Sequence, residues 1–155
     1  MSELTQGTPA PALSIATDGD GNFDLAAHKG KKVVVYFYPK ADTPGCTTEG
    51  LDFSALADEF AAADTVVIGI SRDPAKKLEK FKAKHDLKVI LGSDEDGIVT
   101  EAWGVWVLKK LYGREYMGIE RATFLVDRSG VIQQVWHNVK VRDHAAAVLE
   151  AARAA

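Results

Sequence analysis

Apolar positions along the chain recur with two different periods. Lys32-Val33-Val34-Val35-Tyr36-Phe37-Tyr38 is a continuous β-branched and aromatic run that stops at Pro39. Such a run marks a strand buried on both faces of a central sheet. After a loop over 40–45 the period changes. Phe53, Leu56, Ala57 and Phe60 fall at i, i+3, i+4 and i+7, which predicts a helix over 46–63. Residues 65–70 repeat the buried-strand pattern. Asp73-Pro74 then offers an N-cap and a proline for the first helical position, so a second helix should run to about His85. Residues 122–126 and 131–136 read as two strands joined by Asp127-Arg128-Ser129-Gly130, a polar loop with hairpin chemistry. A last helix should begin near Asp143, with Ala145, Val148, Leu149 and Ala152 on one face.

The resulting order, β-α-β, α, β-β-α, is the thioredoxin plan: a parallel βαβ half followed by a hairpin half, covered by helices on both faces. The predicted class is therefore α/β, a thioredoxin-like fold with a central mixed sheet. Two pieces fall outside that core. Residues 13–25, which carry Asp18-Gly19-Asp20-Gly21-Asn22, read as an N-terminal hairpin, and residues 89–118 as a strand, a short helix and a mobile or hairpin segment. No repeat, low-complexity tract or linker interrupts the chain, which is expected to form one domain over 1–155.

At 155 residues, 46% hydrophobic and 26% charged, the chain can bury a core of its own. A net charge of −3 gives no long-range attraction to nucleic acid or to anionic lipid, so neither is expected as a partner. No apolar run approaches the ~20 residues of a membrane span. The opening Met-Ser-Glu-Leu-Thr-Gln-Gly has neither a basic start nor an apolar stretch, so a cytoplasmic location is expected. The chain has one cysteine, Cys46. It cannot form an intrachain disulfide, which leaves it as either a buried filler or a reagent.

Three features around Cys46 favour the reagent. A strand feeding a Pro-Gly turn into a helix places it at a helix N-terminus, where unpaired backbone N–H groups favour an anion, and a thiolate is what attacks a peroxide. The Thr43 hydroxyl, three residues ahead, is placed to donate to that thiolate or to a bound peroxide oxygen, while Gly45 permits close backbone approach. Pro39 and Pro44 bracket the loop, fixing two φ angles and limiting water access. Against this, a free cysteine is commonly a small buried hydrophobe. Its position after Thr-Pro-Gly, off the face carrying Phe53, Leu56 and Phe60, tips the balance toward reactivity.

The stretch Phe37-Tyr38-Pro39-Lys40-Ala41-Asp42-Thr43-Pro44-Gly45-Cys46-Thr47-Thr48-Glu49 resembles the active-site signature of the peroxiredoxins, nearest to the bacterioferritin comigratory protein, or peroxiredoxin Q, subfamily. The likeness continues through Gly104-Val105-Trp106, Tyr112-Gly113 and residues 118–127. It implies a thiol-dependent peroxidase acting in antioxidant defence. Cys46 would be the nucleophile that becomes a sulfenic acid, Thr43 would hold the peroxide, and Pro39 would shield the pocket. Arg121 would be the cation that stabilises thiolate and peroxide, and Glu49 would orient that arginine. Gly45 joins Thr43, Cys46 and Arg121 in substrate binding. Most relatives carry a second, resolving cysteine five residues on or on the following helix. Here those places hold Leu51 and, approximately, Lys82. The resemblance thus implies a one-cysteine enzyme, a monomer or weak homodimer, whose sulfenate is reduced by thioredoxin, glutaredoxin or glutathione.

Other candidate sites carry less. Asp18, Asp20 and Asn22 imitate the start of a calcium loop, but Phe23 and Lys29 stand where its glycine and glutamate belong. His28, His85, His137 and His144 lack metal-ligand spacing, and no metal or cofactor is expected. Ser93-Asp94-Glu95-Asp96-Gly97 reads as a solvated turn in which Ser93 or Asp94 caps the next helix. Of Trp103, Trp106, Tyr112 and Tyr116, at least half are assigned to core packing, with a pocket rim or interface as the alternative. A disulfide exchanger would need a cysteine at Thr43, and a cysteine hydrolase would need a histidine beside Cys46. A redox sensor would oxidise once and stop.

Overall fold

A computed structural model describes residues 4–155, so the first three residues of the N-terminal segment lie outside the described residues. The strands are β1 (Ser14–Thr17), β2 (Asn22–Asp24), β3 (Lys32–Phe37), β4 (Thr65–Ser71), β5 (Ile90–Ser93), β6 (Trp106–Leu111), β7 (Arg114–Ile119), β8 (Ala122–Val126) and β9 (Ile132–Trp136). The helices are α1 (Pro44–Ala55), α2 (Ala57–Ala62), α3 (Ala75–His85), α4 (Ile98–Ala102) and α5 (His144–Ala154). Seven strands form one sheet in the order β2-β1-β5-β4-β3-β8-β9. β3 runs parallel to β4, and β4 to β5, while β8 pairs antiparallel with β3 and with β9. This is the mixed-sheet, thioredoxin-like α/β fold that the element order predicts.

The unbroken apolar run of β3 follows from its central place. Val34 and Tyr36 enter one core with Phe53, Leu78, Leu125 and Val148, while Val33, Val35 and Phe37 enter the other with Ile68, Ile70, Trp103 and Phe124. Both faces are covered, so neither alternate set of side chains meets water. Cys46 belongs to the first core, beside Tyr36 and Tyr38.

Several local predictions are corrected. The helix expected over 46–63 starts at Pro44 and is two helices, because Leu56, at φ −102° and ψ 9°, leaves helical geometry between α1 and α2. The apolar period runs straight through the bend, and Phe53 and Phe60 remain 5.9 Å apart between ring centroids. Asp73 does not cap α3. Pro74 takes the cap position in extended geometry, and the Asp73 carboxylate instead accepts from the Ala41 N–H and the Ser71 hydroxyl, each at 2.7 Å.

The N-terminal hairpin is not peripheral, since β1 pairs with β5 and extends the main sheet. Its Asp18 Oδ1 accepts from the Leu91 N–H at 3.1 Å while Oδ2 pairs with Lys82. Within 89–118 the last segment is a two-stranded hairpin, β6–β7. The acidic turn before α4 is not wholly solvated: Asp94 is 1% exposed and accepts from the Val99 and Thr100 N–H groups at 3.0 and 2.7 Å. Trp103 is buried, Trp106 is half-buried under the Arg72 guanidinium, and Tyr112 and Tyr116 are exposed. No helix among the described residues is long and apolar enough to cross a membrane.

Candidate active site

The central strand delivers the chain to the site. Beyond β3 the Tyr38 N–H still donates to the Ile70 carbonyl at 3.1 Å, which keeps the backbone extended up to half-buried Pro39. The loop then turns at Asp42, whose φ of 62° is left-handed. Its carboxylate is gripped from the end of α3 by Lys84 and His85, each at 2.9 Å. Asp73 holds the neighbouring Ala41 amide. Thr43 caps α1 in extended geometry, and Pro44 opens the helix where its missing N–H is tolerated. Pro44 is exposed, whereas Pro39 is half-buried.

Cys46 lies in the first turn of α1 and is 2% exposed. Glu49 stands one helical turn on, and both point to the same partner. That partner is Arg121, from the junction of β7 and β8, whose Nη2 donates to Cys46 Sγ at 3.3 Å and whose Nη1 donates to Glu49 Oε1 at 2.7 Å. A Cβ on Gly45 would come within 3.2 Å of Arg121 Nη2. Glycine at 45 therefore gives the guanidinium its path to the sulfur.

Glu49 is buried to 1% exposure, and its Oε2 has no hydrogen-bond partner. Burial pushes its carboxyl up to about 7, against the pull of Arg121 toward ionisation. Burial also works against the charge of Arg121, but Glu49 and Cys46 outweigh it and keep the guanidinium firmly protonated.

The structure brings Cys46, Glu49, Arg121 and Gly45 together as expected. It modifies Thr43: the hydroxyl donates to the Lys40 carbonyl at 2.8 Å rather than to the sulfur. The sequence reading missed the loop anchors Asp42, Lys84, His85 and Asp73. Asp42, Lys84 and His85 meet only through the fold, 42–43 residues apart along the chain, and Asp73 carried the competing signal of a helix cap.

The model of the AhpC/TSA family matches residues 6–135. The chain belongs to the AhpC/TSA family. This AhpC/TSA-family protein is 48% identical over 144 residues to Peroxiredoxin Bcp of Bacillus subtilis, covering 93% of this chain and 92% of that one. It is 46% identical over 142 residues to Peroxiredoxin Bcp of Xanthomonas campestris, covering 92% and 89%. Among solved structures, a PrxQ variant of Xylella fastidiosa superposes with a TM-score of 0.93 at 35% identity, covering 99% and 98% of the two chains. The bacterioferritin comigratory protein of Xanthomonas campestris, studied for alkyl peroxide reduction, gives 0.87 at 45% identity, covering 92% and 90%. As a peroxiredoxin of this Bcp/PrxQ kind, the AhpC/TSA-family chain is a thiol-dependent peroxidase.

Proposed function

We propose that Cys46 is the nucleophile of this peroxidase, that it reduces hydrogen peroxide and organic hydroperoxides, and that its sulfenic acid is reduced by an outside thiol. The observation that carries this reading is the Arg121 fork, one nitrogen on Cys46 Sγ and the other on buried Glu49. A fixed guanidinium beside a helix N-terminus stabilises a thiolate, and the same donors face the peroxide oxygens as charge moves. Sγ attacks one oxygen, the O–O bond breaks, and the second oxygen leaves with the electron pair as hydroxide or alkoxide. The sulfur gains an oxygen and becomes Cys46–SOH, the reversible first stage of thiol oxidation.

Because the Thr43 proton is committed to Lys40, Thr43 Oγ1 acts toward the peroxide as an acceptor and orients the oxygen that keeps its hydrogen. Gly45 leaves room for the guanidinium, Pro39 screens the loop, and Glu49 positions Arg121. The chain works as one domain over 1–155, in the cytoplasm, as a monomer or weak homodimer. Thioredoxin, glutaredoxin or glutathione supplies the reducing thiol.

Cys46→Ser should abolish peroxide consumption and leave the fold unchanged by circular dichroism, since a serine hydroxyl is not ionised near neutrality. A steady-state assay with each thiol donor checks it. Turnover persisting in the variant would remove Cys46 from the reaction, and a single turnover in the natural protein with every donor would make it a sensor.

A further inference from the structure

Arg121 reaches the sulfur from a backbone position that belongs to no strand. Residues 120 and 121 lie between Ile119, the end of β7, and Ala122, the start of β8. They join the two-stranded hairpin to the main sheet. Glu49 Oε1 holds the head of the arginine side chain. Its base is held by a second cluster, made by Glu120 and the segment 137–139.

On the hairpin side the Glu120 N–H donates to the Val105 carbonyl at 2.7 Å, which carries the β6–β7 pairing one residue beyond Trp106 and Ile119. On the other side the Arg121 carbonyl accepts from the Val139 N–H at 2.8 Å. The β8–β9 ladder has ended earlier, at Thr123 with Trp136. Between that pair and Val139 the chain bends through Asn138, whose φ of 47° is left-handed. The bend takes the Asn138 N–H out of the ladder, and Glu120 replaces the lost acceptor. One carboxylate oxygen, Oε2, accepts from the Asn138 N–H and from His137 Nδ1, each at 2.9 Å. The Glu120 side chain is 13% exposed, so these bonds are largely sheltered from water. His137 also stands edge-on to Phe124 of β8, with ring centroids 6.4 Å apart.

The contact that depends on this base has little tolerance. Arg121 Nη2 stands 3.3 Å from Cys46 Sγ, and a misplacement of about 1 Å in such a contact costs on the order of a hundredfold in rate. Glu49 sets the direction of the guanidinium but not where its backbone starts. We propose that Glu120 and His137 are positioning residues for the peroxidase reaction: by holding the bend at Asn138 against the junction, they set the place of the Arg121 backbone and keep its guanidinium on Cys46 Sγ. They act through Arg121, not on the reacting atoms. The inference rests on the reading of Cys46 as the nucleophile and adds the support behind its cation.

The measurement is the rate at which hydrogen peroxide oxidises Cys46 in a single turnover without reductant, in variants that circular dichroism shows to be folded. Glu120→Ala removes the acceptor of two hydrogen bonds and should slow oxidation about tenfold. Glu120→Gln keeps an acceptor oxygen without the charge and should restore the rate to within about twofold. His137→Ala should slow the reaction about threefold, and His137→Asn, which returns a donor near the place of Nδ1, should recover it. A double-mutant cycle separates positioning from general loosening. Added to Arg121→Ala, Glu120→Ala should slow oxidation no further, because its effect runs through the arginine. An unchanged rate in Glu120→Ala, an equal loss in Glu120→Gln, or a full second loss in the Arg121→Ala background would overturn the proposal. If Glu120→Ala does not fold, the His137 variants and their cycle with Arg121→Ala decide it in the same way. Natural protein whose Cys46 resists hydrogen peroxide would overturn the reading of the thiol, and this inference with it.

Discussion

Arg121 holds two acidic groups with one guanidinium, and the two differ in how completely they are satisfied. Glu49 Oε1 accepts from Nη1, whereas Oε2 is buried without a partner, which is why burial wins over the arginine and raises the carboxyl to about 7. The consequence for stability has a definite sign. Between the ordinary value of 4.5 and about 7, the unfolded chain has released the Glu49 proton while the folded protein keeps it. Folding then takes up a proton, so stability falls as pH rises through that window, by on the order of 3 kcal/mol from this group. Glu49→Gln removes the proton equilibrium. The difference in urea-unfolding free energy between natural protein and variant should therefore shrink in that sense from pH 4.5 to 7. A difference independent of pH would show that Glu49 is ionised throughout. At this scale the residue types were legible in the motif, and Cys46, Glu49 and Arg121 meet as expected. The hydrogen-bond direction at Thr43 was not, because it depends on where the Lys40 carbonyl points.

Between residue and fold, the short helix α4 shows what a turn contributes. Five residues long, it cannot sustain itself by propensity. The Ile98 N–H donates to Asp96, and the next two N–H groups, of Val99 and Thr100, depend on the buried Asp94 carboxylate. Asp94→Ala leaves two buried donors unpartnered and should lower unfolding stability by about 2–3 kcal/mol, with Asp94→Asn, which keeps one acceptor, costing about 1 kcal/mol. Denaturant midpoints at constant m-value check both, and an unshifted midpoint for the alanine variant would reject the cap. Ser93 or Asp94 was expected to cap the helix; Gly97 takes the N-cap position, and Asp94 accepts the helix N–H groups from three residues earlier while Ser93 bonds the Asp73 carbonyl. The burial of Asp94 was not foreseen, because a run of adjacent polar residues reads as solvated until tertiary packing covers one. The same limit explains the other departures. Strands β3 and β4 declare themselves by apolar runs. The joining of β1 to β5 is a long-range pairing with no local signal, and Asp73 obeys the fold by holding Ala41 rather than the cap rule.

For the molecule as a whole, a single thiol buried to 2% exposure sets what oxidation leaves behind. No intrachain disulfide can form. Lys82, near the place of a relative's resolving cysteine, is paired with Asp18, and Leu51 is 43% exposed with no sulfur to offer. Each sulfur is enclosed beside Arg121 and Tyr36, so two copies in this conformation cannot bring one Cys46 against another. One equivalent of peroxide should therefore give a monomer heavier by about 16 Da, one oxygen, that reacts with sulfenic-acid probes and with added glutathione. Excess peroxide without a donor thiol should carry it on to the sulfinic acid, because protection depends only on how fast an outside thiol reaches Cys46. Intact mass and non-reducing electrophoresis across a peroxide titration decide the matter. A quantitative dithiothreitol-sensitive dimer with no sulfinic species would mean that two subunits resolve one another, and the one-cysteine route would be wrong.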